Sequence, residues 1–315
     1  MIRFVLLRLV EGLVTLIASS LVVFAALFLA PGDPIAILIG NRTVSDQTIA
    51  SLREQYRLDE PFFTRWLGWL GDVFSGELGR SLTYRDDVWN LIEPRLGTTS
   101  TLLGLALLLI IVVGVGLGIV AAMSGRRISD LLLGFTSIGV AVPSFVAATL
   151  LITVFAVGLG WFPTFGAGDG VADRLHHLAL PVIALTISAG SYVARVTRAS
   201  LREEAQKEHV QTAIGRGLPR RRIVQHHIVH NALTPIATVV AVTLTSMVVG
   251  TIVIEKAFAL DGIGLLLTEG VLRKDFAIVQ SITLILIAFV VVVALIVDIV
   301  QVLVDPRVRA KVVAR

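Results

Sequence analysis

The sequence predicts an all-α polytopic membrane protein with six transmembrane helices, a helical extracytoplasmic insertion after the first span and a cytoplasmic helical segment between spans four and five. Of its 315 residues, 55% are hydrophobic and 16% are charged, and the mean hydropathy is +0.86, whereas roughly 25% of residues are charged in soluble domains. Apolar stretches of about 20 residues, the length of a membrane-crossing helix, recur along the chain. A soluble enzyme is therefore excluded.

Six apolar stretches are long enough to cross the bilayer core. Unpaired backbone amides are costly in lipid, and these stretches are too long and too uniformly apolar for barrel strands, so we interpret them as helices. The chain then divides into a tail with the first span (1–30), an extracytoplasmic helical segment (31–98) and a five-helix core (99–315) with a cytoplasmic loop at 195–234. The predicted spans are Leu9–Ala30, Thr99–Ala121, Leu131–Gly158, Leu178–Ala194, Pro235–Ile254 and Phe276–Val297.

The basic residues predict the orientation. Segments 1–8, 122–130, 195–234 and 298–315 hold most of the Lys and Arg residues of the short loops, and such residues concentrate on the cytoplasmic side. Both termini are therefore expected in the cytoplasm, with the chain multi-pass in the inner or plasma membrane. The first apolar stretch is too long for a signal peptide and lacks a cleavage site before Pro31. Because the basic residues flank apolar stretches, the net charge of +4 indicates topology rather than nucleic-acid binding.

The first outer segment is too long for a bare connector and has helical patterning. A helix is expected around Ile49–Tyr56 after a possible N-cap at Ser45-Asp46, a second after Pro61 with an aromatic face, and a third short one over Asp86–Leu96. Such a segment could be a cap packed on the outer end of the helix bundle. It could instead be a docking platform or gate for a delivered substrate, for which the candidate residues are Trp66 and Trp69.

The cytoplasmic segment 195–234 is predicted to form two helices joined by a turn. Residues Arg198–Ile214 contain no Gly or Pro, Gly217 and Pro219 interrupt the pattern, and a basic helical stretch then leads to Pro235. A rigid surface helix joined to two spanning helices could transmit a partner's movement into the membrane. The alternative is a basic juxtamembrane segment attracted to anionic lipid.

A resemblance to a known family appears in this same loop. Residues 211–217 are similar to the Glu-Ala-Ala-x-x-x-Gly loop of ABC-transporter permease subunits, with Gln211 in place of the Glu. Residues 231–235 resemble the downstream end of that loop in the dipeptide, oligopeptide and nickel branch. Four further motifs resemble the first permease subunit of this branch: Ala30-Pro31-Gly32-Asp33-Pro34, Gly76-Glu77-Leu78-Gly79-Arg80-Ser81, Val142-Pro143-Ser144-Phe145 and Asp305-Pro306-Arg307.

This resemblance implies a permease subunit of an ATP-driven importer that translocates short peptides by alternating access. The implied partners are a second permease, two ATP-binding subunits and an extracytoplasmic solute-binding protein, with ATP and Mg²⁺ used by the partners and no cofactor or metal in this chain. The cytoplasmic loop would be a coupling helix seated on an ATPase subunit, where Ala213 and Gly217 permit close approach and a turn. The implied coupling residues are Gln211, Thr212, Ala213, Arg216, Gly217 and Leu218.

The last outer segment, 255–275, contains a glycine-rich stretch that resembles the family's Pro-Gly-Leu-Gly sequence, with Asp261 in place of the Pro. In the family this is a re-entrant or gate-adjacent region, so Asp261, Gly262 and Gly264 are candidates for a gate or for binding-protein contact. An ordinary glycine-bearing turn is the alternative.

Several chemistries are missing from the sequence. No Gly-x-x-x-x-Gly-Lys-Ser/Thr phosphate loop exists, so ATP hydrolysis must come from another chain. The sequence has no Cys, which excludes disulfides and thiolate catalysis. His226 and His230 lie one helical turn apart, but His227 stands where a zincin requires Glu. We therefore expect no covalent catalysis.

The sequence determines the cargo and its path less closely than it determines the membrane spans. Candidates for path-lining residues are Ser144 in the third span and Ser246 in the fifth. A nickel or other small-solute permease is the alternative within the same class. An ion-coupled secondary transporter is the alternative from another class, although the spans lack a dense relay of ionisable residues.

Overall fold

Apolar helices account for most of the chain in the computed structural model, which describes residues 2–29, 45, 47 and 59–304. The predicted helix around Ile49–Tyr56, Asp46 of its predicted N-cap, and the motifs at 30–34 and 305–307 lie outside these residues. The helices, in chain order, are α1 (Ile2–Phe28), α2 (Phe62–Phe74), α3 (Val88–Met123), α4 (Arg126–Ala141), α5 (Ser144–Gly158), α6 (Gly170–Ala205), α7 (Glu208–Gly215), α8 (Arg220–Ala257), α9 (Ile263–Leu272) and α10 (Phe276–Val304).

Five of these helices, α1, α3, α6, α8 and α10, are long and apolar enough to cross a membrane. They contain five of the six predicted spans. Polar turns extend α6 and α8 well beyond the bilayer core, so that they have 36 and 38 residues. Most of the predicted cytoplasmic loop 195–234 therefore belongs to the ends of these two helices.

The predicted third span, Leu131–Gly158, is divided into α4 and α5, which bend by 100°. The break falls at Val142-Pro143. Pro143 has no N–H to continue the helix, and its ring disfavours helical geometry at the preceding residue; Val142 accordingly has ψ 115°. The expectation of one uninterrupted helix was wrong at this position; the described residues hold five continuous spans, and six when this bent pair is taken as one crossing.

Two further expectations need correction. The predicted short helix at Asp86–Leu96 is the first part of α3 and continues into the membrane without a break. The predicted helix at Arg198–Ile214 is interrupted after Ala205, so that α7 is a separate short helix. In both places the helical pattern was correct, and only the positions of the helix ends differ from the prediction.

Helix α6 is the centre of the fold. Of its most apolar 18-residue window, 61% is buried, compared with 11% for α1 and for α10. Its small residues meet glycines of its neighbours. A Cβ placed on Gly118 of α3 would lie 2.5 Å from the Cβ of Thr197, and one on Gly139 of α4 would lie 2.1 Å from Ser191 Oγ. Glycines thus let α3 and α4 approach α6 closely, as small residues do in membrane helix packing.

Helix α2 packs against the outer half of α1. Phe62 contacts Phe24 edge to face, with ring centroids 5.4 Å apart, and the ring centroids of Trp69 and Phe24 are 6.0 Å apart. The Trp66 indole N–H donates to Ser20 Oγ at 3.3 Å. The opposite stripe of α2, which includes Phe63 and Phe74, is exposed. Helix α2 thus packs on α1 through one stripe and leaves the other exposed, and both roles considered for the segment stay predictions.

Candidate functional site

The turn after α7 has a well-defined helix-ending geometry. Gly217 has φ +71°, the left-handed conformation that glycine adopts without steric cost. The Gly217 N–H donates to the carbonyl of Ile214 at 2.9 Å, and the Leu218 N–H donates to that of Ala213 at 3.3 Å. This pair of bonds is a Schellman motif. The predicted turn at Gly217 is present in the structure.

The predicted coupling residues are divided between two faces of α7. Val210 and Ala213 are buried against Leu201, Ile223 and Ile228 of α6 and α8. The small side chain of Ala213 therefore permits close approach within this chain. Leu218 is half-buried at the edge of the outward face. The exposed residues of this face are Gln211, Thr212, Ile214, Arg216 and Gly217.

Ile214 was not among the residues predicted for this surface, although its side chain is 53% exposed. Val210, Ala213 and Ile214 share one helical face by spacing, so sequence alone would bury all three. Ile214 therefore adds an apolar side chain to the exposed face of α7.

A buried carboxylate fixes α7 to its neighbours. Glu204, at the end of α6, is 5% exposed. It pairs with Lys207, and its Oε1 lies 3.3 Å from His209 Nε2. On α8, Asn231 Nδ2 donates to the His227 carbonyl at 2.7 Å and lies 3.4 Å from His209 Nε2. Helix α7 is therefore joined to both long helices through side chains as well as through the backbone.

The two serines predicted for a path line the same cavity. This cavity, of about 300 Å³, lies between the α4–α5 break, α6 and α8, and both Ser144 and Ser246 contribute to its wall. Ser188, Tyr192 and Thr243 add three further hydroxyl groups. Ser188 and Tyr192 were missed, although their spacing of four residues on an apolar span was a signal that one face of α6 is polar.

The glycine-rich outer stretch surrounds a buried carboxylate. Glu255, at the end of α8, is fully buried. Its Oε2 accepts the N–H groups of Gly264 at 2.7 Å and Leu265 at 3.0 Å, while its Oε1 accepts the hydroxyl of Thr99 at 2.6 Å. The Thr99 oxygen in turn accepts the Ile263 N–H at 3.0 Å. Side chains of two other helices thus cap the first turn of α9.

This cap explains the two glycines. A Cβ on Gly262 would lie 2.3 Å from Glu255 Cδ, and one on Gly264 would lie 2.8 Å from the Cα of Ile252. Asp261, by contrast, is exposed and pairs with Arg95 of α3 at 2.7 Å. The stretch is therefore a tightly packed helix start rather than an ordinary turn.

The far end of α9 is held by the motif at residues 76–81. Asp275 is buried, and its Oδ2 accepts the Ser81 hydroxyl at 2.6 Å and the Thr83 N–H at 2.9 Å. The Tyr84 hydroxyl donates to Glu269. Burial and this hydrogen bond raise the pKa of the Tyr84 phenol, so it stays protonated and remains a donor across the physiological range. Residues 76–87 and α9, which we call the outer rim, are therefore held together by hydrogen bonds.

The structure does not bring the two predicted parts of the docking region together. Trp66 and Trp69 face α1, whereas Asp261, Gly262 and Gly264 lie at the junction of α3, α8 and α9. A docking or gating role for either part stays a prediction.

Family comparisons agree with this architecture. Residues 114–310 match the family described as binding-protein-dependent transport system inner membrane component, and residues 1–103 match the N-terminal region of the same kind of membrane component. The chain belongs to this permease family. It is therefore a multi-pass inner-membrane protein and a transporter subunit.

Curated permeases resemble the chain over nearly its whole length. A probable peptide ABC transporter permease protein of Sinorhizobium fredii is 34% identical over 310 residues, which cover 97% of this chain and 99% of that protein. The oligopeptide transport system permease protein OppB of Salmonella typhimurium is 33% identical, over 98% of this chain and 100% of that protein.

Solved structures share the permease fold. A MetNI methionine ABC transporter, in an inward-facing conformation, matches with a TM-score of 0.57 and 16% identity, covering 68% of this chain and 96% of that one. An amino acid ABC transporter matches with a TM-score of 0.50 and 17% identity, covering 69% of this chain and 94% of that one. At these identities the likeness concerns the fold alone.

Proposed function

We propose that this permease subunit imports short peptides as part of an ATP-driven transporter. The transporter would contain a second permease, two ATP-binding subunits that use ATP and Mg²⁺, and an extracytoplasmic solute-binding protein. Full-length similarity to peptide permeases supports a peptide cargo. This subunit would contribute the path and the coupling surface and would catalyse no covalent step.

The observation that carries the coupling assignment is the outward face of α7. Gln211, Thr212, Ile214 and Arg216 form an exposed surface, and Glu204 fixes the helix to the end of α6. A partner that displaces this surface would move α6 and α8, which form two walls of the serine-lined cavity. A rigid connection of this kind is required if a movement of the ATPase subunit is to be transmitted to the membrane-spanning helices.

The outer rim is the surface we propose for the binding protein. Hydrogen bonds fix α9 at both ends, through Glu255 and Asp275, so the rim would present a preorganised surface to a partner. Asp261, two residues before α9, adds an exposed acidic side chain next to this rim, with 69% of the side chain accessible. Preorganised surfaces lose little conformational entropy on docking.

The test replaces Gly217 with Val. No atom lies within 4 Å of the added Cβ, so the variant should insert, but Val is strained at φ +71° by about 1–2 kcal/mol. The turn should reorganise and uncouple the two activities: in proteoliposomes with all partners, ATP hydrolysis should persist while uptake of a tripeptide falls at least about tenfold.

Gly215→Ala is the matched control. Gly215 lies two residues earlier inside α7, without a positive φ and with nothing within 4 Å of an added Cβ. Uptake by Gly215→Ala should equal that of the parent. Normal uptake by Gly217→Val would contradict the coupling assignment. Uptake of Ni²⁺ without peptide uptake would contradict the peptide cargo, and uptake without nucleotide would indicate a secondary transporter.

A further inference from the structure

Helix α6, the most buried helix of the bundle, leaves one narrow polar stripe accessible. Ser188, Tyr192, Arg195 and Ala199 follow one another at spacings of four, three and four residues, which places them on one face of the helix. Tyr192 and Arg195 are exposed, whereas the other residues between positions 190 and 197 are buried or half-buried. We call these four residues the α6 stripe.

Exposed stripes on other helices of the bundle are apolar. Helix α4 exposes Leu131, Phe135 and Ile138 along one face, and α10 exposes Val292 and Ile296. Such faces suit contact with lipid tails, where polar groups are expensive. The α6 stripe contains a phenol, a hydroxyl and a guanidinium, so it suits contact with water instead.

Arg195 lies at the depth of the apolar part of the bundle. Its Nη1 donates to Ser137 Oγ of α4 at 3.4 Å, and Ser137 stands in the sequence between the exposed Phe135 and Ile138. Ser137 is eleven residues from the start of α4, or about 16 Å. Arg195 is ten residues from the end of α6, or about 15 Å. A charged side chain at such depth faces a water-filled space or an opposite charge.

Arg195 has no carboxylate partner among the described residues. Its hydrogen bond to Ser137 is long and goes to a neutral oxygen. Asp130, the acidic residue of α4, lies about two turns nearer the helix start and pairs with Arg126. A guanidinium has five N–H donors, so most of those of Arg195 are available to an anion that reaches the stripe.

The α6 stripe is continuous with the serine-lined cavity. Ser188 and Tyr192 contribute to the wall of that cavity, and Arg195 and Ala199 follow on the same face toward the end of α6 that leads to α7. The cavity itself has no charged lining residue. Arg195 is therefore the charged group next to it along this face.

We propose that the α6 stripe lines the aqueous path of the cargo and that Arg195 is a specificity-determining residue, which pairs with a carboxylate of the passing cargo. For a short peptide this is the C-terminal carboxylate in the simplest case. The inference rests on the peptide-import function proposed above. A guanidinium pairs with a carboxylate through two parallel hydrogen bonds, and an ion pair exposed to water is weak enough to be released.

The first test measures water access and charge along the stripe. The chain has no Cys, so Ser188→Cys introduces one thiol into this subunit, about two helical turns from Arg195. In the nucleotide-free, detergent-solubilised transporter with cysteine-free partner subunits, this thiol reacts with an anionic or a cationic methanethiosulfonate of similar size. The two rates are also measured with Arg195→Gln, Arg195→Lys or Arg127→Gln added. Arg127→Gln is the matched control, because Arg127 is exposed in the first turn of α4.

Arg195→Gln should lower the ratio of the anionic to the cationic rate about fivefold, because one positive charge about 10 Å away is removed. Arg195→Lys and Arg127→Gln should keep the parent ratio. An unchanged ratio in Arg195→Gln would overturn the proposal. Absence of reaction with both reagents would also overturn it, since lipid or the second permease would then cover the stripe.

The second test identifies the group that Arg195 pairs with. The Ser188→Cys thiol is modified with an uncharged reagent at increasing concentrations of trialanine or trialanine amide. Trialanine should protect the thiol at concentrations about tenfold lower than its amide, which has no carboxylate. Arg195→Gln should bring this ratio close to one, and Arg195→Lys should keep most of it.

Equal protection by the two peptides, or protection by neither, would contradict carboxylate recognition by Arg195. ATP-driven uptake of trialanine by the parent transporter tests the proposed function separately. Uptake combined with equal protection would reject the role of Arg195 and leave the peptide-import function standing. Absence of uptake would reject that function, while the two reagent rates still report whether the stripe is an aqueous, positively charged surface.

Discussion

Two helix ends on the outer side contain non-glycine residues in the left-handed conformation. Ala259 has φ +46° and Lys274 has φ +54°. In each case the next residue donates back to a helical carbonyl: Leu260 to Glu255 at 2.9 Å, and Asp275 to Gly270 at 2.8 Å. These are Schellman ends without their usual glycine. The sharp turns lead the chain into the glycine-rich stretch and into the Asp275 cap, so local strain positions both ends of the outer rim.

Replacing Ala259 with Gly should therefore stabilise the protein. Glycine adopts this conformation without the Cβ clash, and the expected gain in unfolding free energy is about 0.5–1 kcal/mol. Thermal denaturation of the purified subunit is the measurement. Ala257→Gly, two residues earlier in α8, should instead lower the stability by a similar amount, because glycine weakens a helix. A lower stability for Ala259→Gly would show that the positive φ carries no strain.

At the level of elements, the bundle is organised by close crossings on α6. Gly114 and Gly118 of α3 are four residues apart and face Gly190 and Thr197 of α6. A Cβ on Gly118 would meet the Ala194 carbonyl oxygen at 2.7 Å, and a backbone atom cannot rotate away. These contacts place α6 between α3 and α8, where it connects the cavity wall to α7.

Gly118→Ala should therefore destabilise the folded subunit by about 1–3 kcal/mol, the usual cost of overpacking. Gly116→Ala is the matched control, because nothing lies within 4 Å of its added Cβ; it should be neutral or slightly stabilising. Resistance to thermal aggregation in detergent compares the two. Equal stability of both variants would mean that the α3–α6 crossing adjusts more easily than its geometry indicates.

At the level of the whole molecule, α7 and the outer rim lie at opposite ends of α8. This helix begins at Arg220, just after α7, and ends at Ala257, just before α9. Its 38 residues correspond to about 57 Å of helix, which exceeds the thickness of a bilayer. One end must therefore face the cytoplasm and the other the outside.

We predict that α7 and both termini are cytoplasmic. Because the chain has no Cys, Gly215→Cys on α7 and Ser75→Cys after α2 each introduce one thiol. A membrane-impermeant maleimide should label Ser75→Cys in right-side-out vesicles and Gly215→Cys in inside-out vesicles. The reverse pattern would contradict the orientation expected from the basic residues.

Features that depend on local sequence were predictable. Apolar length identified five continuous spans and both halves of the sixth, because the cost of unpaired amides in lipid leaves few alternatives to a helix. The turn at Gly217 was also predictable from local sequence, because a glycine followed closely by Pro219 ends a helix. Ser144 and Ser246 were also chosen from sequence, and the structure places them in one cavity.

Features that depend on which helices meet were decided by the tertiary structure. The sequence indicated a turn or a gate at the glycines around Glu255, and the structure instead shows them packed against that carboxylate, which also binds Thr99 more than 150 residues earlier. The burial of Ala213 and the exposure of Ile214 depend on α6 and α8 packing against one side of α7. Membrane insertion is determined by the composition of each segment by itself, whereas burial, capping and cavities arise from pairs of segments that are distant in sequence.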